Sequence, residues 1–236
     1  MRVVVSIGGS VLAPTLDASH VEAYASVIEE LVEAGCELAA VVGGGGVARQ
    51  YIEVARTMDA NEVQLDQLGI DVTRINARLL IAALGSIVDP KVAETYEDAG
   101  DVIRRGDVAV MGGVMPGQTT DAVAAALAEY IDAELLVYAT SVDGVYDADP
   151  SSGGEARKHE RLSPTELVDI IVPMSRDAGA SAPVDLLAAK LIERAGMRSI
   201  VLDGTDPSRI ATAILTGDHS GTDIVCADDP MALAHW

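Results

Sequence analysis

Short apolar runs alternate with longer amphipathic stretches through most of this 236-residue chain. The runs with the length and the branched side chains of buried strands are 3–7, 38–42, 108–111, 135–139 and 199–202. The stretches with helical spacing are 18–34, 47–57, 62–84, 121–131, 164–171, 184–195 and 207–215. Strands that alternate with helices predict an α/β fold with a mainly parallel sheet covered on both faces.

Glycine-rich turns directly follow several of the predicted strands. They are IGGS after the first strand, GGGG after the second and MGGVMPGQTTD after a later one. The carboxyl ends of parallel strands meet at one edge of a sheet, where ligands collect. A strand-to-helix turn presents free backbone N–H groups and the positive end of a helix, and glycine lets a phosphate approach closely. The GGGG run by itself indicates either a phosphate site or a tight turn with surplus glycine.

Two common nucleotide-binding patterns are missing from these turns. Neither IGGS nor GGGG has the G-x-G-x-x-G spacing of a dinucleotide site, and the chain has no Walker sequence ending in G-K-[ST]. Several separate anion-binding turns on one edge instead suit a site that holds two phosphorylated molecules end to end. Phosphoryl transfer requires in-line positioning and neutralised charge more than covalent chemistry from the protein.

The charge balance of the chain is strongly acidic. It has 37 acidic and 16 basic residues, a formal charge of −21, and its lysines are Lys91, Lys158 and Lys190. A surface this negative repels nucleic acid and anionic membranes, so neither is an expected partner. The acidic residues are spread along the chain, which favours adaptation to a salt-rich cytosol over binding of basic partners.

No resident metal site or membrane segment is expected. The two cysteines, Cys36 and Cys226, form no spaced framework, and the four histidines are scattered. Gly8 and Gly9 interrupt the apolar N-terminus before it could act as a signal core, and no segment has the length to span a bilayer. These features predict a soluble cytoplasmic protein.

The segment PGQTTDAVAAALAEYI predicts the start of a helix. Thr119 or Thr120 can cap it, and Asp121 lies in its first turn beside the positive end of the dipole. A well-capped amphipathic helix explains Thr120 and Asp121 but not the glycines that crowd in front of them. Likewise, YATSVDGVYDADP at 138–150 is either a strand with an Asp-Gly turn or part of a site.

Seven segments occur in a recognisable order. They are SIGGSVL, VVGGGGVARQY, DQLGIDVTRINARLLIAAL, VMGGVMPGQTTDAVAA, ATSVDGVYDADP, VDLLAAKLI and GDHSGTDI. Their order and spacing resemble archaeal-type uridylate kinases of the amino acid kinase family. The resemblance covers residues 1–225 and implies one domain, an open three-layer αβα sandwich with an acceptor (UMP) lobe at 1–134 and an ATP lobe at 135–225, followed by a tail at 226–236. It implies the reaction of UMP with MgATP to give UDP and ADP.

The resemblance also implies roles for residues on the ATP side. Gly9 and Ser10 resemble contacts to the ATP phosphates, and Gly44 and Gly45 lie where the phosphates of UMP and ATP approach each other. The positions around the adenine and ribose of ATP are matched by Thr140, Ser141, Tyr146 and Asp149. Mg²⁺ is expected to enter with ATP and to be held mainly by its phosphates.

On the acceptor side, Asp66 resembles the residue that binds the ribose of UMP, although without the resemblance it would be interpreted as an exposed helical carboxylate. Asp121 falls where the wider family keeps an aspartate that organises the cationic groups of the site. The loop that encloses the uracil is matched by Val114, Met115, Pro116, Gly117, Gln118, Thr119 and Thr120.

Relatives of this type are hexamers built as trimers of dimers, so a homohexamer is expected. The 62–84 helix offers apolar residues that either pack between copies or fill the monomer core: Leu65, Leu68, Ile75, Leu79 and Leu80.

Ser6 departs from the family pattern, because many relatives carry a lysine in the first strand at this position. Another cation must then meet the charge of the moving phosphoryl group. Arg49, just after the glycines, is the candidate, and the alternative is a surface pair with Glu53. Lys190 lies in an amphipathic helical context that favours a structural or surface role.

The resemblance leaves two other kinds of function open. One is a kinase for another small acceptor such as isopentenyl phosphate, acetylglutamate or carbamate, and the PGQTTD loop and Asp66 speak against it. The other is a nucleotide-binding storage or sensor protein on the same fold. Retention of Arg49 and Asp121 favours an enzyme.

Overall fold

The computed structural model describes residues 1–148, 156–174 and 184–226. The strands are β1 Arg2–Ile7, β2 Glu37–Val42, β3 Ala109–Met111, β4 Leu135–Thr140, β5 Val145–Tyr146, β6 Lys158–His159, β7 Arg161–Leu162, β8 Ser199–Asp203 and β9 Thr222–Ile224. The α-helices are α1 Gly9–Leu12, α2 Ala18–Glu33, α3 Gly45–Thr57, α4 Glu62–Leu84, α5 Tyr96–Arg104, α6 Thr120–Tyr130, α7 Pro164–Met174, α8 Leu186–Ala195 and α9 Ser208–Thr216.

In these ranges, seven strands form one sheet in the order β3-β2-β1-β4-β8-β9-β7, and β5 pairs with β6 separately. Parallel pairing joins β3, β2, β1, β4 and β8, whereas β9 is antiparallel to β8. The chain runs outward from β1 to β3 and then returns to the other side of β1 as β4. In open α/β sheets a reversal of this kind forms a ligand-binding crevice beyond the carboxyl ends of the two strands, which here are β1 and β4.

Alternate residues of the strands face two helical layers. In β1, Val3 and Val5 pack in a core with α1, α2, α4 and α9, whereas Val4 packs with α5, α6, α7 and α8. Because both faces of the central strands are covered, a strand such as β2, ELAAVV, is continuously apolar after its first residue. The predicted three-layer αβα sandwich is confirmed.

Side-chain caps fix the starts of several helices, among them α4, α6 and α8. Asn61 accepts a hydrogen bond from the N–H of Gln64 at 3.1 Å, and the Gln64 side chain accepts from the N–H of Asn61 at 3.0 Å, which closes a capping box on α4. Thr119 caps α6 by accepting from the N–H of Ala122 at 3.2 Å. Asp185 caps α8 through two N–H groups of its first turn. Each cap satisfies N–H groups that lack an intrahelical partner.

The sequence patterns are right for the long elements and miss the short ones. They do not predict α1, α5, or the short strands β5, β6, β7 and β9. Helix α3 begins at Gly45, inside the glycine run, and not at residue 47 as predicted, because tertiary packing overrides the low helix propensity of glycine. The surface loop predicted at 147–160 contains β6. Residues 149–155 and 227–236, the latter in the predicted tail, lie outside the described ranges.

Across the described ranges, each helix is too short or too polar to cross a bilayer. The longest helix, α4, has 23 residues and carries charged side chains along its length.

Candidate functional site

The turns after β1 and β2 pack directly against each other. A side chain at Gly9 would overlap the backbone of Gly43 and Gly45, and a side chain at Gly45 would overlap Gly9. A Cβ at Gly43 would lie 2.7 Å from the amide nitrogen of Gly9, closer than non-bonded atoms allow. Gly45 also has a φ of +63°, in the left-handed region. Packing between the two turns is therefore the direct steric reason for glycine at these three positions.

Gly46 differs from the other glycines of the run, because a Cβ there would meet open space. It lies in the first turn of α3, where N–H groups have no intrahelical acceptor. In the described part of the chain, the N–H groups of Gly44, Gly45 and Gly46 have no backbone acceptor. These free donors and the positive end of α3 make the turn suited to bind a phosphate.

Arg49 links the two turns through its side chain. Its Nη2 donates a hydrogen bond to Ser10 Oγ at 3.1 Å. Ser10 lies in α1, directly after β1, and Arg49 lies one turn into α3. Among the described residues, Arg49 makes this contact and not the alternative ion pair with Glu53. Arg49 is exposed, so its remaining N–H groups are available to an anion in the crevice.

Lys190 lies on the outer surface of α8. Its Nζ is 2.8 Å from Glu193 Oε2, and its side chain is 53% exposed. An ion pair on the surface of α8 is the kind of structural or surface role predicted for Lys190 from its amphipathic helix.

Helix α4 holds the turns from its buried face. Asn76 Nδ2 donates to the carbonyl oxygens of Gly43 at 2.9 Å and Gly44 at 3.3 Å. Thr73 Oγ1 accepts from the N–H of Gly113 at 2.7 Å, in the turn after β3. Thr73 and Asn76 are 6% and 2% exposed, so these hydrogen bonds replace contacts with water. One helix thus fixes the second and third glycine turns relative to each other.

The glycines after β3 are required by the close approach of α4. A Cβ at Gly112 would lie 2.6 Å from Thr73 Oγ1, and one at Gly113 would lie 2.9 Å from Ile70 Cγ1. Arg74 Nε donates to the carbonyl oxygen of Gly113 at 3.2 Å. A capped helix alone leaves these glycines unexplained, whereas packing on α4 accounts for both.

The loop predicted to enclose the uracil is attached to α4 and α5. Asp66 Oδ2 accepts from the N–H of Gly117 at 2.8 Å. Gln118 Nε2 donates to Tyr96 Oη at 2.9 Å. The tip of the loop, residues 115–117, is exposed. Asp66 therefore holds this loop through a hydrogen bond and is not an exposed helical carboxylate without a partner.

Thr119, and not Thr120, caps α6, and it also connects this helix to α8. Besides capping α6, it donates through Oγ1 to Asp185 Oδ2. Thr120 is the first residue of α6 and is half-buried. The start of α6 is therefore joined to the start of α8 at the edge of the crevice.

The carboxyl group of Asp121 is enclosed by protein, although part of the residue is accessible. Ser6 Oγ donates to Asp121 Oδ1 at 3.2 Å, and Tyr138 Oη donates to the backbone carbonyl of Asp121 at 3.1 Å. Burial, reinforced by the negative charge of Asp185, raises the pKa of Asp121 from 3.8 to about 7, although the hydrogen bond from Ser6 opposes the change. Within the described residues, Asp121 pairs with this uncharged hydroxyl and not with a cation.

The segment after β4 forms the other wall of the crevice. The N–H of Gly8 donates to the carbonyl of Ala139 at 3.0 Å, which joins the ends of β1 and β4. Thr140 Oγ1 accepts from the N–H of Val142 and donates to its carbonyl, each at 3.0 Å. Ser141 is exposed between them. Thr140 and Ser141 therefore lie at the carboxyl edge of the sheet, next to the first glycine turn.

Tyr146 is held by a polar cluster on the same side of the crevice. Its Oη donates to Asp143 Oδ1 at 2.7 Å, while Lys158 Nζ lies 2.9 Å from Asp143 Oδ2 and donates to the carbonyl of Ser220 at 2.8 Å. The hydrogen bond from Lys158 is the main cause that lowers the pKa of Asp143. Asp149, the remaining residue predicted to bind ATP, lies outside the described residues.

Sequence reasoning missed Thr73, Asn76 and Lys158 as residues that shape the site. The available signal for the first two was a pair of polar residues on the otherwise apolar face of α4, where Ile70, Ala77 and Leu80 are buried. Lys158 had no such signal, since it lay in a segment predicted as a surface loop.

Comparison with known proteins identifies the family of this chain. The model of the Amino acid kinase family matches residues 1–203. The uridylate kinase of Haloquadratum walsbyi is 75% identical over 236 residues, covering 100% of this chain and 98% of that protein. The uridylate kinase of Halobacterium salinarum (strain R1) is 63% identical over 236 residues, with the same shares covered.

The fold has a counterpart among solved structures. The crystal structure of uridylate kinase from Archaeoglobus fulgidus matches with a TM-score of 0.85 and 43% identity, and covers 95% of this chain and 100% of that chain. This solved structure has the same fold as the sandwich described above, and the family model matches most of the sequence. The chain therefore belongs to the amino acid kinase family.

Proposed function

We propose that this chain is a UMP kinase, which transfers the γ-phosphoryl group of ATP to UMP and gives UDP and ADP in pyrimidine nucleotide biosynthesis. The observation that carries the proposal is the direct packing of the turns after β1 and β2. It brings together two helix starts whose N–H groups, at Gly9–Ser10 and at Gly44–Gly46, have no backbone acceptor among the described residues. Two adjoining anion sites suit two nucleotides whose phosphates meet end to end. The similarity to uridylate kinases supports UMP as the acceptor.

In the proposed reaction, Gly9 and Ser10 bind the phosphates of ATP, and Gly44 and Gly45 contact the phosphoryl group in transit. Arg49 supplies the cationic charge, because its guanidinium can hold two phosphate oxygens in a fixed fork. Support for this role is the hydrogen bond of Arg49 to Ser10, which keeps the guanidinium between the two turns.

On the acceptor side, Asp66 binds the ribose of UMP and residues 114–120 enclose the uracil. Oδ2 of Asp66 holds the loop through Gly117, which leaves Oδ1 to accept from a ribose hydroxyl. The loop is held at its tip, where Asp66 accepts from Gly117, and near its end by Thr119, so these contacts restrict its backbone before the base arrives.

Asp121 organises the polar groups of the site from the first turn of α6, where it accepts a hydrogen bond from Ser6 of β1. Thr140, Ser141 and Tyr146 surround the adenine and ribose of ATP, together with Asp149. The cluster of Asp143, Tyr146 and Lys158 supports this subsite, because it fixes the Tyr146 side chain.

Mg²⁺ enters with ATP and neutralises charge on its phosphates. The turns that bind phosphate, at Gly9–Ser10 and Gly44–Gly45, would hold the ion through those phosphates. Among the described residues, no group of three or more His, Cys, Asp or Glu side chains is arranged to hold a metal ion. An ion carried by ATP needs no such group, because Mg²⁺ keeps phosphate oxygens and water as most of its ligands.

A coupled assay of ADP release tests the function directly. With MgATP present, ADP should form when UMP is added and not in its absence. ADP release only with a different small acceptor would replace UMP in the proposal. Tight nucleotide binding without turnover would favour a storage or sensor protein.

We also propose that the enzyme is a homohexamer that works in the cytoplasm on free nucleotides, without nucleic acid or membrane partners. Of the apolar residues of α4, Leu65 and Leu80 are buried in the monomer, whereas Ile75 and Leu79 are 54% and 39% exposed. Leu79 and Leu16 line an apolar groove of about 430 Å³ between α2 and α4. A second copy of the chain would cover this face and remove exposed apolar surface from water.

A further inference from the structure

The glycine run is held from α4 by one side chain. Asn76 donates from Nδ2 to the carbonyl oxygens of both Gly43 and Gly44. Its side chain is almost completely buried, so its hydrogen bonds must be made within the protein. Four successive glycines restrict their own backbone very little, so the conformation of this turn depends on such outside contacts.

Because the peptide bond is planar, the hydrogen bonds that hold these two carbonyls also fix the direction of the N–H groups in the same peptide units. A trans peptide unit points its carbonyl oxygen and its N–H to opposite sides. The carbonyls of Gly43 and Gly44 face Asn76, so the N–H groups of Gly44 and Gly45, which belong to the same two peptide units, face away from α4. The turn that contains Gly9 packs close to the amide nitrogen of Gly45 as well as to the carbonyl oxygen of Gly43.

We propose that Asn76 is a positioning residue for phosphoryl transfer: by holding two carbonyls of the glycine run, it aims the N–H groups of Gly44 and Gly45 at the phosphoryl group that moves between the nucleotides. The inference rests on the proposed function. Asn76 itself touches no substrate and acts through the turn. Preorganised donors contribute most where charge develops in the transition state, so the effect should fall on kcat more than on KM.

The test compares Asn76→Ala with Leu80→Ala in the full-length protein in about 1 M KCl, where charge repulsion is screened. Leu80 is a matched control, because it is fully buried one turn further along α4 and packs in the core with α2. Both variants should lower the melting temperature, since each removes buried contacts. The readouts are kcat, the KM values for UMP and ATP, and the melting temperature.

Asn76→Ala should lose about a hundredfold in kcat with both KM values within about threefold of wild type, as expected for a misplaced catalytic turn. Leu80→Ala should keep kcat within about threefold below its melting temperature. A kcat retained by Asn76→Ala, or an equal loss in Leu80→Ala, would overturn the proposal, because stability alone would then explain the result.

A second variant, Asn76→Ser, keeps a small polar group in the cavity. If Asn76→Ala does not fold, the same loss in kcat with little change in KM is expected of Asn76→Ser. Its hydroxyl has one proton and cannot donate to both carbonyls, so the loss in kcat should persist. The wild-type protein separates this inference from the proposed function. If wild type fails to phosphorylate UMP, the function is wrong, whereas an active wild type with an equally active Asn76→Ser variant refutes the positioning role alone.

Discussion

The guanidinium of Arg49 donates a hydrogen bond to Ser10 Oγ at 3.1 Å, so a side chain of α3 reaches the turn that follows β1. This contact places a permanent positive charge beside two sets of free N–H groups. In a chain with a formal charge of −21, a cation at this position offsets the repulsion that two phosphorylated substrates would otherwise meet.

Replacing Arg49 should therefore impair chemistry and leave the fold intact. Arg49→Ala should lose at least about a hundredfold in kcat, as expected when a preorganised electrostatic group is removed, with little change in melting temperature. Lys190→Ala is the control, because Lys190 pairs with Glu193 on the surface of α8. Steady-state kinetics and thermal melts of both variants provide the comparison. A large kcat loss confined to Lys190→Ala would transfer the role to the lysine.

The loop at 114–120 should make the enzyme selective for uracil. CMP carries an exocyclic amine where UMP carries a carbonyl, so a loop that hydrogen-bonds the uracil edge leaves buried groups unpaired with CMP. UMP should be preferred over CMP by at least about a hundredfold in kcat/KM. The measurement is initial rates with each nucleotide at saturating ATP. Comparable rates would mean that the loop does not read the base.

The buried carboxyl of Asp121 should make stability depend on pH. Its pKa is raised from 3.8 to about 7, so between these values the folded protein keeps a proton that the unfolded chain releases. Its contribution to stability is complete below about pH 4 and is lost as the pH rises through about 7. Asp121→Asn removes this loss, so its melting temperature should exceed that of wild type by several degrees more at pH 8 than at pH 5, which corresponds to roughly 2 to 3 kcal/mol.

Asp143→Asn is the control for the pH experiment, since Lys158 lowers the pKa of Asp143. The ionised carboxylate of Asp143 stabilises the folded protein above its unfolded pKa. Asp143→Asn should therefore be no more stable than wild type at pH 8. A melting-temperature difference between Asp121→Asn and wild type that is the same at both pH values would show that Asp121 does not titrate in this range.

Salt should stabilise and activate the protein. The Debye length falls from about 10 Å at 0.1 M to about 3 Å at 1 M salt, which weakens repulsion within and between the acidic subunits. Melting temperature and turnover should both rise from dilute buffer into the molar range. Equal stability in dilute buffer would mean that the acidity of the chain has another cause.

The exposed face of α4 should mediate self-association. Light scattering in molar KCl should find a hexamer, and Leu79→Glu should shift the population to smaller species, because it places a charge in the apolar groove. Gln67→Glu adds the same charge to an exposed position of the same helix and is the control. A stable wild-type monomer would refute the assembly, and an unchanged mass for Leu79→Glu would move the interface elsewhere.

The amino-acid sequence by itself determined the layers and the edge where the site lies. Continuous apolar strands such as β2 and the amphipathic period of α2 and α4 depend on local side-chain spacing, which is visible in one dimension. The glycine turns directly after β1 and β2 mark the carboxyl edge for the same reason. Short elements escaped this reasoning, although the capping box between Thr95 and Asp98 was an available signal for α5.

The tertiary structure alone decided which groups meet at that edge. Asn76 contacts Gly43 across 33 positions, Arg49 contacts Ser10 across 39, and Asp66 contacts Gly117 across 51. No local pattern specifies these pairs, because each depends on how α4 and the turns pack over the ends of the strands. The glycine run shows the difference most clearly. Its position was readable as a turn suited to phosphate, but the steric demand for glycine at Gly9, Gly43 and Gly45 comes from two turns that touch each other.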